Sequence, residues 1–238
     1  MSRFVKQAFT RIVLPVAAIL LLMIGLGVLL THVLKDENGF NRTLEHDRTP
    51  ELTHISSFFS SVGNTMTIIA VTAVAALILR LTLHRWREPL FLCLAVTAQA
   101  VVFFFTTLAI DRPRPDVHRL DASPPTSSFP SGHTSAAFAL YVGLAVVLAS
   151  LARPGWLKAL CWLLVLVPLA VATARMYRGM HHPSDVLSAC LNSTLCLTVM
   201  GRAILNRDVP WRRAGIGSAA PAGTLQPAGN GAESTATS

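Results

Sequence analysis

Six stretches of the chain are apolar for about 20 residues each, and no other feature limits its fold so severely. An α-helix rises about 1.5 Å per residue, so a stretch of this length crosses the roughly 30 Å hydrocarbon layer of a bilayer. The stretches lie at 12–34, 60–83, 90–110, 133–152, 156–174 and 185–204. In hydrocarbon every backbone N–H and C=O must find its partner within the protein, which leaves helices as the form for such spans. The expected fold is all-α, a polytopic six-helix membrane bundle. Charged residues make up only 13% of the chain, about half their usual share in soluble domains, which agrees with a bilayer as solvent.

The organisation follows from what flanks the spans. Residues 1–11 carry Arg3, Lys6 and Arg11 and read as a cytoplasmic N-terminus. The apolar run after them is too long for a signal peptide, and Thr31-His32-Val33 makes a poor cleavage site, so it reads as an uncleaved first span. The membrane domain is expected over 12–205, with only Arg153-Pro154-Gly155 turning the chain between the fourth and fifth spans. Residues 206–238 read as a cytoplasmic tail, disordered because Gly, Ala, Pro, Ser and Thr dominate it from Ala214 onward. The net charge of +8 does not point to nucleic acid, because the basic residues cluster beside the apolar runs. With both termini in the cytoplasm, that side holds 12 of the 20 Lys and Arg, against the acids Glu88, Asp208 and Glu233. The positive-inside rule therefore sends segments 35–59, 111–132 and 175–184 outward. The first of these, with Asp36, Glu37, Glu45, Asp47 and Glu51, has two readings, a cap over the site or a solvated connector, and the connector is the preferred one. Cys93, Cys161, Cys190 and Cys196 lie inside apolar runs without metal-ligand spacing and read as small core residues.

Chemistry concentrates in the two later outward segments. Asp111-Arg112-Pro113-Arg114-Pro115 offers two guanidinium forks beside stiffening prolines, suited to holding a phosphate. Pro130-Ser131-Gly132-His133 opens the fourth span, where the N–H groups of a helix start attract an anion and Ser131 adds a hydroxyl. In Arg175-Met176-Tyr177-Arg178-Gly179-Met180-His181-His182-Pro183-Ser184-Asp185, His181 and Asp185 stand four apart around a proline fit for a first helical position. A carboxylate there is placed to accept from one imidazole nitrogen and leave the other free to attack. Each element alone has a plainer reading as a helix cap or an interfacial anchor. Two histidines, several arginines and an aspartate at one boundary are costly unless paired and used.

These residues resemble the signature of the type 2 phosphatidic acid phosphatases. That signature runs lysine, six residues, Arg-Pro; then Pro-Ser-Gly-His; then Ser-Arg, five residues, His, three residues, Asp. The chain matches with Arg114-Pro115, with Pro130-Ser131-Gly132-His133, and with Arg175, His181 and Asp185 at the family spacing. It departs at Thr107, where the family has lysine, and at Ala174, where it has serine. The resemblance covers roughly residues 10–205 and implies an active site at the outer membrane–water boundary.

The resemblance also implies the roles. His181 is the expected nucleophile, forming a phosphohistidine; Asp185 orients it; His133 is the general acid, then the base that activates water. Arg114, Arg175, Ser131 and Gly132 are expected to bind the phosphoryl oxygens, with Arg112 standing in for the missing lysine. His182 is expected to line the site and Arg178 to lie at its edge. No metal or other cofactor is implied, since the arginines supply the positive charge. The implied substrate is a lipid phosphate: polyprenyl diphosphate, phosphatidate or phosphatidylglycerol phosphate. The bilayer is the expected partner, in a bacterial inner membrane, and no oligomeric state is legible. Two other readings use the same residues: a lipid phosphotransferase, and a protein that binds or moves anionic lipids without cleaving them.

Overall fold

The structure is a computed structural model that describes residues 3–33, 37–122 and 126–205. The tail expected over 206–238 lies outside the described residues. Eight helices are labelled in chain order: α1 (Val5–Val33), α2 (Asn38–His46), α3 (Pro50–Val62), α4 (Thr65–Leu83), α5 (Arg87–Ala109), α6 (Gly132–Leu151), α7 (Gly155–Tyr177) and α8 (Pro183–Leu205). All but α2 and α3 are long and apolar enough to cross a membrane, so the six expected spans are all present.

The boundaries differ from the sequence reading where local chemistry overrides hydropathy. Helical backbone already begins at Arg3, so most of the expected 1–11 terminus is helix continuous with the first span. Pro15 has no N–H to offer the preceding turn, and a π-helical turn, Phe9–Val13, lies directly before it. The second span starts at Thr65 instead of residue 60. Asn64 caps it, its side-chain oxygen accepting the Met66 N–H at 3.1 Å. The turn at Gly63 lies close to two neighbouring helices: a Cβ there would come within 2.7 Å of Val171 in α7 and 3.2 Å of His133 in α6.

The segment read as a solvated connector is instead the helix pair α2–α3, with α2 and α3 both packed on α7. The start of α3 is chemically well marked. Thr49 accepts the Leu52 N–H at 3.2 Å, Pro50 takes the first turn, and Glu51 complements the positive end of the helix dipole.

The bundle is built around α5, α6 and α8. Half of the most apolar stretch of α8 is buried, against 17% for α1 and for α4, which places those two at the periphery. Phe91, Leu92, Ala95 and Val102 of α5 pack with Ala137, Leu140 and Val147 of α6 and with Cys196 and Met200 of α8. Leu21, Leu77, Phe104, Leu166 and Leu187 stay exposed on the outside, as lipid-facing side chains do. A polar seam ties the centre together: Asn192 donates to the Gln99 carbonyl (3.2 Å) and to Ser135 (3.1 Å), and Ser193 donates to the Ser135 carbonyl (2.7 Å). Interhelical bonds of this kind contribute about 0.6–2 kcal/mol each in a membrane.

Candidate active site

Successive spans alternate in direction, so the end of α5, the start of α6, the end of α7 and the start of α8 meet at one face of the bundle. The α3–α4 junction reaches the same face. A cavity of about 710 Å³ opens there, lined by Arg114, Gly132, His133, Arg175 and His181. Three motif blocks separated by up to 60 residues of chain therefore share one chamber. Apolar side chains line part of it: Ile68 and Ile69 of α4, and Val96, Ala100 and Phe103 of α5.

His181 is 4% exposed, and its Nδ1 lies 2.7 Å from the Ser128 carbonyl oxygen. A carbonyl only accepts, so Nδ1 carries the proton and Nε2 keeps its lone pair for the chamber. Burial, then the cations Arg175 and Arg114, hold the ring's pKa well below the ordinary histidine value, against the pull of the Ser128 carbonyl. The imidazole is therefore neutral at physiological pH, the form in which it can attack.

Asp185 occupies a different place from the one its spacing suggests. Its carboxylate is 3.9 Å from His181 Nδ1, beyond hydrogen-bond reach, and Ser128 holds the ring in its stead. Asp185 is fully buried and accepts from Arg112 Nη1 (2.5 Å), Ser128 Oγ (2.8 Å) and the His182 N–H (2.8 Å). The last bond closes the first turn of α8, with Pro183 at its start. Ser128 thus touches both residues, its hydroxyl on Asp185 and its carbonyl on His181. The aspartate and the histidine are thereby linked through this serine.

Arg112 does not line the chamber. Its guanidinium donates to Asp185, to Ser184 (2.8 Å) and to Glu37 (2.6 Å), and Ser184 also bonds Glu37. The expectation that Arg112 replaces the missing lysine at the phosphate is corrected accordingly: three acceptors behind His181 already hold it. Thr107, at the lysine position, has a buried hydroxyl without a partner, and Ala174 is buried. Among the described residues, the cations lining the chamber are Arg114 and Arg175.

Arg114 donates to the Met180 carbonyl at 2.8 Å and leaves Nε buried without an acceptor. Burial and neighbouring Arg119 push its pKa down from the ordinary value, with Asp185 opposing. Such a guanidinium calls for an anion. Ser131 is buried, and its hydroxyl donates to Thr134 at 2.9 Å instead of pointing into the cavity. Gly132 does line the chamber, and a Cβ there would lie 2.7 Å from the Phe103 ring, so glycine is what lets the helix start approach α5. His182 lies beside the site, with burial lowering its pKa and its Nε2 3.3 Å from the Pro113 carbonyl.

Several residues of the site carry no motif. Arg178, expected at the edge, is 6% exposed and grips Asp121 with two nitrogens. Asn41 of α2 donates to the carbonyls of His181 (3.1 Å) and Met176 (3.3 Å), so α2 holds the backbone of His181. Ser60 of α3 accepts from Arg175 at 2.8 Å. Burial would raise the Asp121 carboxyl, but Arg178 and Arg175 outweigh it and hold it below the usual carboxylate range. The polar run Ser60–Thr65 at an expected span start was the one visible sign of this wall.

A profile of the PAP2 superfamily matches residues 88–208, which include all three blocks. The chain belongs to the PAP2 superfamily. It is a membrane phosphatase of the PAP2 type. It is similar to the undecaprenyl-diphosphatase BcrC of Bacillus subtilis, at 30% identity over 146 residues that cover 58% of this chain and 71% of that protein. Its fold matches that of a transmembrane PAP2-type phosphatidylglycerolphosphate phosphatase from Bacillus subtilis, with a TM-score of 0.67 and 19% identity, covering 78% of this chain and 93% of that one. Aquifex aeolicus LpxE matches with a TM-score of 0.54 and 24% identity, over 67% of this chain and 91% of the other.

Proposed function

We propose that this PAP2 phosphatase hydrolyses lipid phosphates or diphosphates at the outer boundary of the plasma membrane, with polyprenyl diphosphate as first-choice substrate. The observation that carries the reading is His181: neutral, proton fixed on Nδ1 by Ser128, and set in one chamber with Arg114, Arg175 and His133. Likeness to the undecaprenyl-diphosphatase supports the diphosphate; phosphatidate and phosphatidylglycerol phosphate fit the same chemistry.

The reaction is two in-line displacements. His181 Nε2 attacks phosphorus while His133 protonates the leaving oxygen, releasing the lipid alcohol or lipid monophosphate. His133 then takes a proton from water, which attacks the phosphohistidine and frees inorganic phosphate. Arg114 and Arg175 hold the charge spread over the equatorial oxygens, the dominant contribution in phosphoryl transfer. Asp185, through Ser128, steadies the ring as positive charge grows on it. The apolar wall between α4 and α5 lets the tail stay in lipid while the head group reaches the arginines. The site faces outward because the basic residues favour the opposite face as cytoplasmic.

The test is phosphate release from polyprenyl diphosphate and from phosphatidate by purified protein in detergent, with EDTA present, beside His181→Ala. Release that survives EDTA and drops by at least about 10³-fold in the variant is expected, since loss of a nucleophile leaves only binding and electrostatics. Activity undiminished in folded His181→Ala removes the histidine mechanism. No release from either lipid by folded wild-type protein favours phosphotransfer or lipid binding.

A further inference from the structure

Asp121 belongs to none of the motif blocks, yet it lines the reaction chamber with His133, Arg114, Arg175 and His181. A carboxylate beside a phosphate site repels the substrate, so its presence calls for a compensating role. Its contacts show one. Asp121 Oδ2 accepts from Arg175 Nη1 at 2.7 Å, and Ser60 Oγ accepts from the same nitrogen at 2.8 Å. The Arg175 guanidinium makes no other hydrogen bond within the described residues, and its Nε is buried without an acceptor. The fork is pinned at Nη1 and unpaired at Nε, the state of a clamp oriented ahead of its anion.

Asp121 is itself fixed from behind. Arg178 grips it with Nε on Oδ2 (2.9 Å) and Nη2 on Oδ1 (2.5 Å). Arg178 in turn donates to Ser56 (3.2 Å), to the Thr53 carbonyl (3.4 Å) and to the Leu120 carbonyl (3.2 Å). The Leu120 N–H donates back to the Arg178 carbonyl at 3.1 Å. Asp121 therefore transmits the rigidity of the α3–α7 wall to the one nitrogen that aims Arg175.

We propose that Asp121 is a positioning residue of the phosphate site, which holds Arg175 in the orientation that the transferring phosphoryl group requires. The inference rests on the reading of Arg175 as a phosphate ligand. It exchanges ground-state affinity for transition-state alignment: the negative charge weakens binding of a phosphate dianion, while the fixed fork speeds the chemical step. Removing the charge therefore moves turnover and affinity in opposite senses, which loss of a merely structural bond does not do.

The test uses the full-length protein in detergent, with polyprenyl diphosphate as substrate and inorganic phosphate as inhibitor. In Asp121→Asn, kcat falls by about 10- to 100-fold, the range expected when a positioning group drifts by about an ångström. KM and the phosphate inhibition constant stay level or fall. A kcat within about threefold of wild type, or a KM and inhibition constant that both rise, overturns the proposal. In an Arg175→Met background the Asp121→Asn penalty disappears; penalties that multiply show that Asp121 does not act through Arg175. Arg175→Met alone with wild-type turnover removes Arg175 from the chemistry, a failure of the underlying reading that is separate from any result at Asp121. Should Asp121→Asn not fold, Asp121→Glu keeps the charge and displaces the fork: kcat falls without tighter phosphate inhibition, and an unchanged kcat overturns the proposal.

Discussion

Arg112 and Arg114 stand two apart in one proline-stiffened run, and the structure gives them separate duties. Arg114 lines the chamber, whereas Arg112 lies between the buried Asp185 carboxylate and the partly buried Glu37 carboxylate behind it. Removing one partner of a buried ion pair leaves an uncompensated charge and costs about 3–5 kcal/mol. Arg112→Ala strands Asp185 and Glu37 together, so its unfolding free energy in detergent is expected to fall by an amount in that range, with activity lost as His181 loosens. Arg114→Ala instead loses turnover while keeping its unfolding free energy within about 1 kcal/mol of wild type, the usual effect away from buried networks. An Arg112→Ala protein as stable as wild type contradicts this division. At this scale the sequence revealed the motif residues because their spacing is local. Glu37, Ser128 and Asp121 escaped it because their partners lie 147, 57 and 54 residues away.

Elements were legible where hydropathy alone decides them. All six spans appear because about 20 apolar residues in a row admit few other structures. The α2–α3 pair was not, because its charged residues read as solvated although both helices pack on α7. The capped start Thr49-Pro50-Glu51 was the available signal for α3. Arg48, between the two helices, fastens them to the site: Nε and Nη2 donate to the Tyr177 carbonyl at 3.2 and 2.9 Å, and Nη1 to the His118 carbonyl at 2.9 Å. Its guanidinium also lies 5.8 Å from the centre of the Tyr177 ring. Hydrogen bonds from a charged donor contribute about 1.5–3 kcal/mol, so Arg48→Ala should release the outer helices locally without unfolding the spans. Amide exchange across α2 and residues 175–182 is expected to quicken by about 10-fold or more, the factor that corresponds to about 1.4 kcal/mol, while α5 and α6 keep their protection. Unchanged exchange at α2 means that Arg48 is not what holds it down.

For the whole molecule the decisive property is which face looks outward, because it fixes the pool of substrate that reaches the chamber. Alternation of the spans gathers the chemistry at one face, and the other face carries the α4–α5 turn with Arg85 and Arg87. Moving those guanidinium groups across a bilayer is unfavourable, and short basic segments stay in the cytoplasm. The outer segments balance 8 basic with 9 acidic residues, so nothing in them opposes export. The prediction separates two single-cysteine proteins in which Cys93, Cys161, Cys190 and Cys196 are replaced. Asp116 and Arg85 have side chains 85% and 48% exposed, so both positions are open to a reagent. In intact cells, or in spheroplasts if an outer membrane excludes the reagent, Asp116→Cys reacts with a membrane-impermeant maleimide, and Arg85→Cys reacts only after permeabilisation. The reverse pattern places His181 in the cytoplasm, where it meets lipid phosphates made on the inner leaflet. The chemistry of the chamber would stand, but the outward substrate assignment would fall, since a head group anchored by its tail reaches only the leaflet in which it resides.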